Sequence, residues 1–174
     1  SCIDKSNVTR GCQLFRSTFD EVAAQFPGTE ADYGYIDAFM QWITRSPEHY
    51  DTVVTSNMFG DISTDLGAVL QGGMGMAASG NIGDEHAFFE PVHGSAPKHA
   101  GQNKVNPIAS INSIQMMMDY LGRKTNDDDL VAIGRLIDES VGDHLKDGTS
   151  LTYDIGGTAS CSEVGMSIAN RLAD

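Results

Sequence analysis

Hydrophobic residues along the chain recur at two spacings, one typical of helices and one typical of strands, and their alternation predicts an α/β protein. In the first part, apolar residues three or four positions apart mark helices, and short apolar or alternating runs mark strands. Five elements are predicted there: a helix over residues 8–26, a strand over 31–35, a helix over 38–44, a strand over 50–55 and a helix over 61–71.

The second part is predicted to be irregular first and helical afterwards. Glycines at 72, 73 and 75 open an irregular region that extends to Gly101. A helix over 107–121 should follow, with Asn106 as cap, Pro107 first and Gly122 just after its end. Further helices are predicted over 128–145 and from Ser160, where Ser160 and Glu163 form a capping box. The predicted buried positions on these three helices are Ile111, Ile114, Met118 and Leu121; Leu130, Ile133, Ile137 and Val141; Val164, Ile168 and Leu172.

Composition narrows the class of protein. The chain has 174 residues, 40% of them hydrophobic, and a formal net charge of −13. That charge argues against binding to nucleic acid or to an anionic membrane. No apolar run approaches the roughly 20 residues of a membrane span, and the start has no signal-peptide pattern. Cys2, Cys12 and Cys161 lack metal-binding spacing, so we expect reduced thiols in a cytoplasmic protein.

Residues 57–65 (NMFGDISTD) carry the most informative chemistry. Asp61 and Asp65 are four positions apart, so on a helix they share one face. They follow an apolar strand and a glycine, which places them in the first predicted turn of a helix, at the end of a strand. A hard divalent cation would bind such a pair well. The alternative is that Asp61 caps the helix and Asp65 is simply solvated.

Five segments together resemble the metal-dependent β-decarboxylating dehydrogenases that act on isocitrate, homoisocitrate, 3-isopropylmalate and tartrate or D-malate. The segments are residues 4–7 (DKSN), 35–38 (YIDA), 57–65, 80–97 with its FEPVHGSAP stretch, and 105–107 (VNP). They stand in the family's order and extend over most of the chain. The resemblance implies the isopropylmalate/isocitrate dehydrogenase-like α/β fold, which is not a Rossmann fold.

The resemblance also implies a reaction and its groups. A 2-hydroxy acid is oxidised by hydride transfer to a nicotinamide cofactor and then loses its C3 carboxylate as carbon dioxide. Lys5 would transfer a proton at the hydroxyl, and Asn7 would contact the substrate or the nicotinamide ribose. Asp37, Asp61 and Asp65 would bind Mg²⁺ or Mn²⁺, with Asp37 donated across a dimer interface.

Cofactor binding is expected in the loop region of the second part. Gly73-Met-Gly75 is not a Rossmann fingerprint, because it lacks a third glycine at the required spacing and follows a helix. Lys98 and His99 favour NADP, since they offer cationic partners to a 2′-phosphate. Gly157, however, stands where NADP-using relatives carry arginine. NAD is therefore the alternative cofactor. The residues that the resemblance assigns to the cofactor are Glu90, His93, Gly94, Ser95, Ala96, Pro97, Lys98, His99, Asn106 and Tyr153.

Family members are about twice as long as this chain, so we expect a partial fold. Residues 1–71 resemble the second part of the small domain, and residues 72–174 resemble the C-terminal part of the large domain. Partners would be a hydroxy-dicarboxylate or tricarboxylate substrate, a second copy packed on Leu66, Val69 and Leu70, and the missing N-terminal half. Motif details favour isocitrate slightly over 3-isopropylmalate and homoisocitrate. The rival interpretation is a non-catalytic partner subunit or an inactive fragment of such an enzyme.

Overall fold

The computed structural model describes residues 1–173, which form two units. The first is Ser1–Leu70, and the second takes the rest of the described chain from Gln71. The assignment of these units to the small and large domains of a longer enzyme stays a prediction. None of the described helices combines the length and apolar character needed to cross a membrane.

The first unit is built on a three-stranded parallel sheet. Its strands are β1 (Cys2–Asp4), β2 (Tyr33–Tyr35) and β3 (Val54–Thr55), in the order β2-β1-β3. Asp4 is in register with Tyr35, and Ile3 is in register with Thr55. Every residue of β1 is buried. All three strands therefore end at one edge of the sheet, and the segments after them begin there.

Three helices accompany this sheet. They are α1 (Arg10–Ala23), α2 (Ile36–Arg45) and α3 (Asn57–Leu70), and a 3₁₀ turn (Pro47–His49) follows α2. The core is small: Ile3 on β1, Phe39 on α2, and Ser63 and Ala68 on α3 are buried. Phe39 meets Tyr50 edge to face with ring centroids 4.8 Å apart.

Several predictions for this unit need correction. Strand β1 was not predicted, and the strand expected over 50–55 is only Val54–Thr55. Helix α3 begins at Asn57, so Asp61 lies in its second turn rather than its first. Helix α1 has no fully buried residue, and Val22 and Phe26 of its apolar stripe are 48% and 59% exposed.

The second unit combines a β-hairpin with three long helices. Strands β4 (Ala78–Ile82) and β5 (Ala87–Pro91) pair antiparallel, within the region predicted to be irregular. The helices are α4 (Ile108–Thr125), α5 (Asp128–Asp147) and α6 (Cys161–Ala173), and short 3₁₀ turns occur at Pro97–His99 and Tyr153–Ile155.

The core of this unit joins all three helices. It consists of Met76, Ile108, Val141, Val164 and Ile168. The predictions for Ile114 and Ile133 were wrong, because these side chains are 48% and 44% exposed. The prediction for Gly122 was also wrong: it is a buried position inside α4, which continues to Thr125 and ends at Asn126 in the left-handed conformation.

Helix caps in this unit agree with the sequence. Asp127 accepts hydrogen bonds from the backbone N–H groups of Asp129 and Leu130 at the start of α5. The capping box at α6 is confirmed, since the Ser160 N–H donates to Glu163 Oε2 at 2.7 Å and the Glu163 N–H donates to Ser160 Oγ at 3.3 Å. These local bonds fix where both helices begin.

Candidate functional site

Lys5 and Asp37 meet at the carboxyl edge of the parallel sheet. Lys5 directly follows β1, and Asp37 is the second residue of α2, which starts where β2 ends. The Lys5 ammonium donates a hydrogen bond to the Asp37 carboxylate. The Lys5 side chain is 24% exposed and that of Asp37 is 67% exposed. The hydrogen bond from Lys5 lowers the pKa of Asp37 below its usual value.

A buried ion pair supports the strand that carries Lys5. Asp4 is 1% exposed, and its carboxylate accepts hydrogen bonds from Arg16 Nε at 2.7 Å and Arg16 Nη2 at 2.9 Å. The Ser6 N–H donates to the same carboxylate at 2.9 Å. Burial alone would raise the pKa of Asp4, but these donors hold it below its usual value. The backbone on both sides of Lys5 is therefore fixed.

Asn7 lies exposed in the turn that connects β1 to α1. The turn is closed by the Val8 and Thr9 N–H groups, which donate to the Lys5 carbonyl at 2.9 and 3.0 Å. Asn7 is thus held two residues beyond Lys5 at the same edge of the sheet, with its side chain open to solvent.

Asp61 and Asp65 both lie on the exposed face of α3. Asp61 accepts only a weak side-chain bond from Asn57 Nδ2, at 3.2 Å, and within the described chain neither aspartate forms a salt bridge. Carboxylate oxygens without cationic partners, one helical turn apart, are the donors that Mg²⁺ and Mn²⁺ prefer. The pair therefore fits two ligands of a divalent cation.

Asp37 does not join this pair within one chain. Residues 1–173 contain no group of three histidine, cysteine, aspartate or glutamate side chains that could hold a metal ion. Asp37 instead faces Lys5. The expectation that Asp37 reaches the metal of a second copy stays a prediction.

The first cofactor candidates lie around the hairpin and the loop after it. Glu90 is exposed on β5, opposite Ser79 of β4. His93 Nδ1 lies 2.9 Å from the Gly94 carbonyl oxygen, and because a carbonyl only accepts, Nδ1 is the donor. Gly94 and Ser95 are exposed.

A strained residue precedes the lysine–histidine pair. Ala96 has a φ of 45°, in the left-handed region that non-glycine residues seldom adopt. The 3₁₀ turn Pro97–His99 follows it, with Lys98 exposed and His99 half-buried. This backbone turns Lys98 towards solvent, where it meets no carboxylate of the described residues.

Asn106 is buried, and its side chain is fully engaged inside the protein. Its Oδ1 accepts from the Ile108 N–H at 3.0 Å, so it bonds the start of α4 as predicted, but the helix begins at Ile108, one residue later than predicted, and Pro107 occupies the N-cap position. Its Nδ2 donates to Asp154 Oδ2 at 3.1 Å and lies 3.5 Å from Met76 Sδ. An adenine contact from this residue stays a prediction.

Tyr153 is 52% exposed and stands in the 3₁₀ turn before α6. The His99 ring lies 6.3 Å from its ring centroid, and Lys104 Nζ lies 5.2 Å from it. The structure thus brings His99 and Tyr153 together, although 54 residues separate them in the sequence.

Sequence reasoning missed three residues that shape these sites. Arg16 supports the Lys5 segment, Asp154 orients Asn106, and Lys104 covers Tyr153. Only Arg16 could have been noticed in the sequence, because it is a charged residue that follows Phe15 directly and lies three positions before Phe19 of the apolar stripe. Nothing in the spacing of Asp154 or Lys104 indicates their contacts.

Comparison with known proteins places this chain in a family. A family model described as isocitrate/isopropylmalate dehydrogenase matches residues 1–168. The chain is 41% identical to a 3-isopropylmalate dehydrogenase of Thermobifida fusca, over 99% of the chain and 47% of that protein. It is 43% identical to a homoisocitrate dehydrogenase of Methanocaldococcus jannaschii, again over 99% and 47%.

A solved structure agrees with this match. The crystal structure of isocitrate dehydrogenase from Methylococcus capsulatus superposes with a TM-score of 0.90 at 33% identity, over 99% of this chain and 50% of that one. The chain spans about half the length of the relatives that it matches. With a family match over nearly its whole length, the chain belongs to the isocitrate/isopropylmalate dehydrogenase family.

Proposed function

We propose that the protein carrying this chain is a divalent-metal-dependent dehydrogenase that oxidises and decarboxylates a 3-substituted malate. The observation that carries the proposal is the arrangement at the sheet edge. The Lys5–Asp37 pair lies where β1 and β2 end, and Asp61 and Asp65 stand on the helix that follows β3. A proton-transfer group and hard cation ligands are the two requirements of this chemistry.

Each candidate residue of the chain has its own role in this reaction. Lys5 removes the proton of the substrate hydroxyl, and Asn7 orients the substrate or the nicotinamide ribose beside it. Asp37, Asp61 and Asp65 would hold the cation, which when bound would polarise the substrate's C2 oxygen, while a bound nicotinamide would take the hydride from C2. Loss of the C3 carboxylate as carbon dioxide then leaves the bonding electrons in an enolate, and protonation at C3 gives the 2-keto acid.

The exposed face of α3 supports a site shared between two copies. Met58, Ile62 and Val69 are 63%, 54% and 65% exposed, and helical spacing places them on the stripe that includes Asp65. An exposed apolar stripe of this kind marks an interaction surface. In a two-fold dimer it would bring Asp61 and Asp65 of one copy to Lys5 and Asp37 of the other.

Cofactor and substrate follow from the loop residues and from the relatives. Lys98 is an exposed cation without a carboxylate partner among the described residues, which supports NADP, with NAD as the alternative. The relatives named above are 3-isopropylmalate and homoisocitrate dehydrogenases, and the structural relative is an isocitrate dehydrogenase. These names support 3-isopropylmalate, homoisocitrate and isocitrate as the substrates to test.

A turnover assay of the intact protein tests the proposal. Each of the three substrates is offered with Mn²⁺ and with NAD or NADP, and both reduced cofactor and carbon dioxide are measured. We expect turnover of at least one substrate, dependent on the metal and abolished in Lys5→Met. Reduced cofactor without carbon dioxide, or no turnover with any combination, would refute it, and the second outcome would favour a non-catalytic partner subunit.

The shared site has its own test. Lys5→Met and Asp65→Asn should each be inactive as homodimers. If the two variants are co-expressed, half of the randomly formed dimers contain one site with both residues intact, so about a quarter of the wild-type activity should return. No recovery, although mixed dimers are isolated, would mean that each chain builds its site alone.

A further inference from the structure

Two nitrogen-bearing side chains, those of Lys104 and His99, lie near the ring of Tyr153 in a strongly acidic chain. Lys104 Nζ lies 5.2 Å from the ring centroid, within the range of a cation–π contact. The His99 ring approaches the same tyrosine at 6.3 Å, and Lys98 is its neighbour in the 3₁₀ turn. Tyr153 itself is 52% exposed, so a ligand can reach it.

Lys104 is unusual among the cations of the second unit. Arg123, Arg135, Lys146 and Arg171 each form a salt bridge with a carboxylate. Lys124 donates instead to the carbonyl of Glu85. Among the described residues of this unit, Lys98 and Lys104 alone have neither partner. In a chain of net charge −13, two unpartnered lysines on the segment that contacts Tyr153 mark a place for an anionic group.

The backbone that carries Lys104 is fixed before any ligand arrives. Asn103 Nδ2 donates to Ser162 Oγ at 2.8 Å, and Asn103 Oδ1 accepts from the Ser162 N–H at 3.1 Å. The Asn103 carbonyl accepts from the Cys161 N–H at 2.8 Å. These three bonds attach the segment before Lys104 to the start of α6, so the backbone that carries the lysine does not have to be ordered on binding.

The backbone after Tyr153 excludes a charged side chain at Gly157, four residues further along the chain. A Cβ atom added to Gly157 would lie 1.9 Å from the Leu151 carbonyl oxygen, so this position cannot carry a side chain without a backbone shift. The shift is opposed by two bonds, from the Gly157 N–H to the Thr152 carbonyl at 2.9 Å and from the Ala159 N–H to the Leu151 carbonyl at 2.8 Å. A cation near Tyr153 must therefore come from another segment.

We infer that Lys104 is a specificity-determining residue that binds the phosphate on the adenosine ribose of NADP, together with Lys98. This inference rests on the proposed dinucleotide-dependent function. The Lys104 ammonium lies over the tyrosine ring and supplies the charge that a phosphate monoester requires. The lysine discriminates between the two cofactors because NAD carries only a hydroxyl at that position.

Calorimetric titration of the intact protein with 2′,5′-ADP and with 5′-AMP tests the inference, because the two probes differ only in the 2′-phosphate. The variants are Lys104→Met, which keeps the apolar stem, and Lys104→Arg, which keeps the charge. The matched control is Lys146→Met, which removes the same charge from an exposed lysine on α5.

We expect the wild type to bind 2′,5′-ADP more tightly than 5′-AMP. Lys104→Met should weaken 2′,5′-ADP by about tenfold or more, as expected for loss of a charge-assisted bond, and leave 5′-AMP unchanged. Lys104→Arg and Lys146→Met should keep the wild-type preference. Unchanged 5′-AMP binding also shows that the Lys104→Met protein is folded.

Other outcomes separate the inference from the proposed function. If the wild type binds both probes equally, or if Lys104→Met weakens neither probe or both to the same extent, the inference is wrong and a dinucleotide site remains. If the wild type binds neither probe, the proposed function itself fails at its cofactor site.

Discussion

Arg16 holds the carboxylate of Asp4 with two hydrogen bonds, of 2.7 and 2.9 Å, at the residue immediately before Lys5. The guanidinium also lies 5.1 and 5.4 Å from the ring centroids of Tyr33 and Tyr35 on the neighbouring strand. One side chain of α1 therefore connects the helix to β1 and β2. The position of Lys5 depends on this connection, because Asp4 and Lys5 share a peptide bond.

The two partners of this pair should respond unequally to substitution. Arg16→Met leaves the buried Asp4 carboxylate without its cation, and breaking a buried pair in this way costs about 3 kcal/mol or more. Asp4→Asn leaves a guanidinium that is 26% exposed and can be hydrated, so about 1–2 kcal/mol is expected. Urea unfolding of both variants at pH 7 measures the difference. Equal losses would mean that the Asp4 charge is not the dominant cost.

The fold could be predicted from the sequence wherever an element is determined by bonds between residues that are close together in the chain. The α6 capping box joins Ser160 to Glu163, three residues apart, and it was predicted. Strand β1 was missed because three buried residues show no periodicity, and it exists only through parallel pairing with β2 and β3. The hairpin was missed although Ala87–Pro91 alternates in exposure, because the glycines at 72, 73 and 75 suggested an irregular region.

For the candidate sites, too, the sequence predicted what depends on local spacing and missed what depends on contacts between distant segments. One helical turn relates Asp61 to Asp65, so their common face followed from the sequence. Helix α3 nevertheless begins earlier than predicted, since its first turn includes Gly60, which was taken to precede the helix. The contact between Lys5 and Asp37 depends on the register of Asp4 with Tyr35. The contact of Lys104 with Tyr153 depends on the attachment of Asn103 to α6, which no pattern in the sequence indicates.

Metal affinity should depend on both carboxylates of α3. Asp61→Asn and Asp65→Asn each remove one anionic ligand, and we expect weaker Mn²⁺ binding and a turnover lower by about a hundredfold or more, since the cation supplies several kcal/mol of charge stabilisation. Calorimetric titration with Mn²⁺ and steady-state kinetics on the intact protein measure both effects. The control is Asp51→Asn, an exposed aspartate of the same unit. Wild-type Mn²⁺ affinity in both α3 variants would remove the metal assignment.

His144 should make the second unit sensitive to mild acid. It is 1% exposed, with Nδ1 3.0 Å from Ser167 Oγ. Burial lowers its pKa below the usual 6.5, Arg171 on α6 lowers it further, and Asp147 opposes the shift. Below pH 6.5 the unfolded chain takes up a proton that the folded chain does not, so stability falls as the pH drops from 6.5 towards the folded pKa.

Removing the imidazole should remove this pH dependence. We expect the wild type to lose up to about 1.4 kcal/mol per pH unit in that window relative to His144→Gln. Urea unfolding at pH 7.5 and 5.5 gives the two differences, and His86→Gln is the control because His86 is exposed. Parallel pH profiles of the wild type and His144→Gln would show that the buried histidine takes up its proton equally in the folded and the unfolded chain.

The contact between α4 and α5 depends on Gly122, and two glycine substitutions should change stability in opposite directions. A Cβ atom at Gly122 would lie 2.6 Å from Val131 Cγ2, 2.8 Å from the Val131 nitrogen and 2.9 Å from the Asp127 carbonyl oxygen. Two of these atoms belong to the backbone, so the helices would have to separate, and we expect Gly122→Ala to cost about 1–3 kcal/mol of unfolding free energy.

Gly142 is also inside a helix but has no atom within 4 Å of its Cβ position, so Gly142→Ala should stabilise the protein by about 0.5–1 kcal/mol through helix propensity. Urea unfolding of both variants decides the matter. A stabilising Gly122→Ala would mean that the two helices pack less closely than described, because the gain in propensity would then exceed any steric cost.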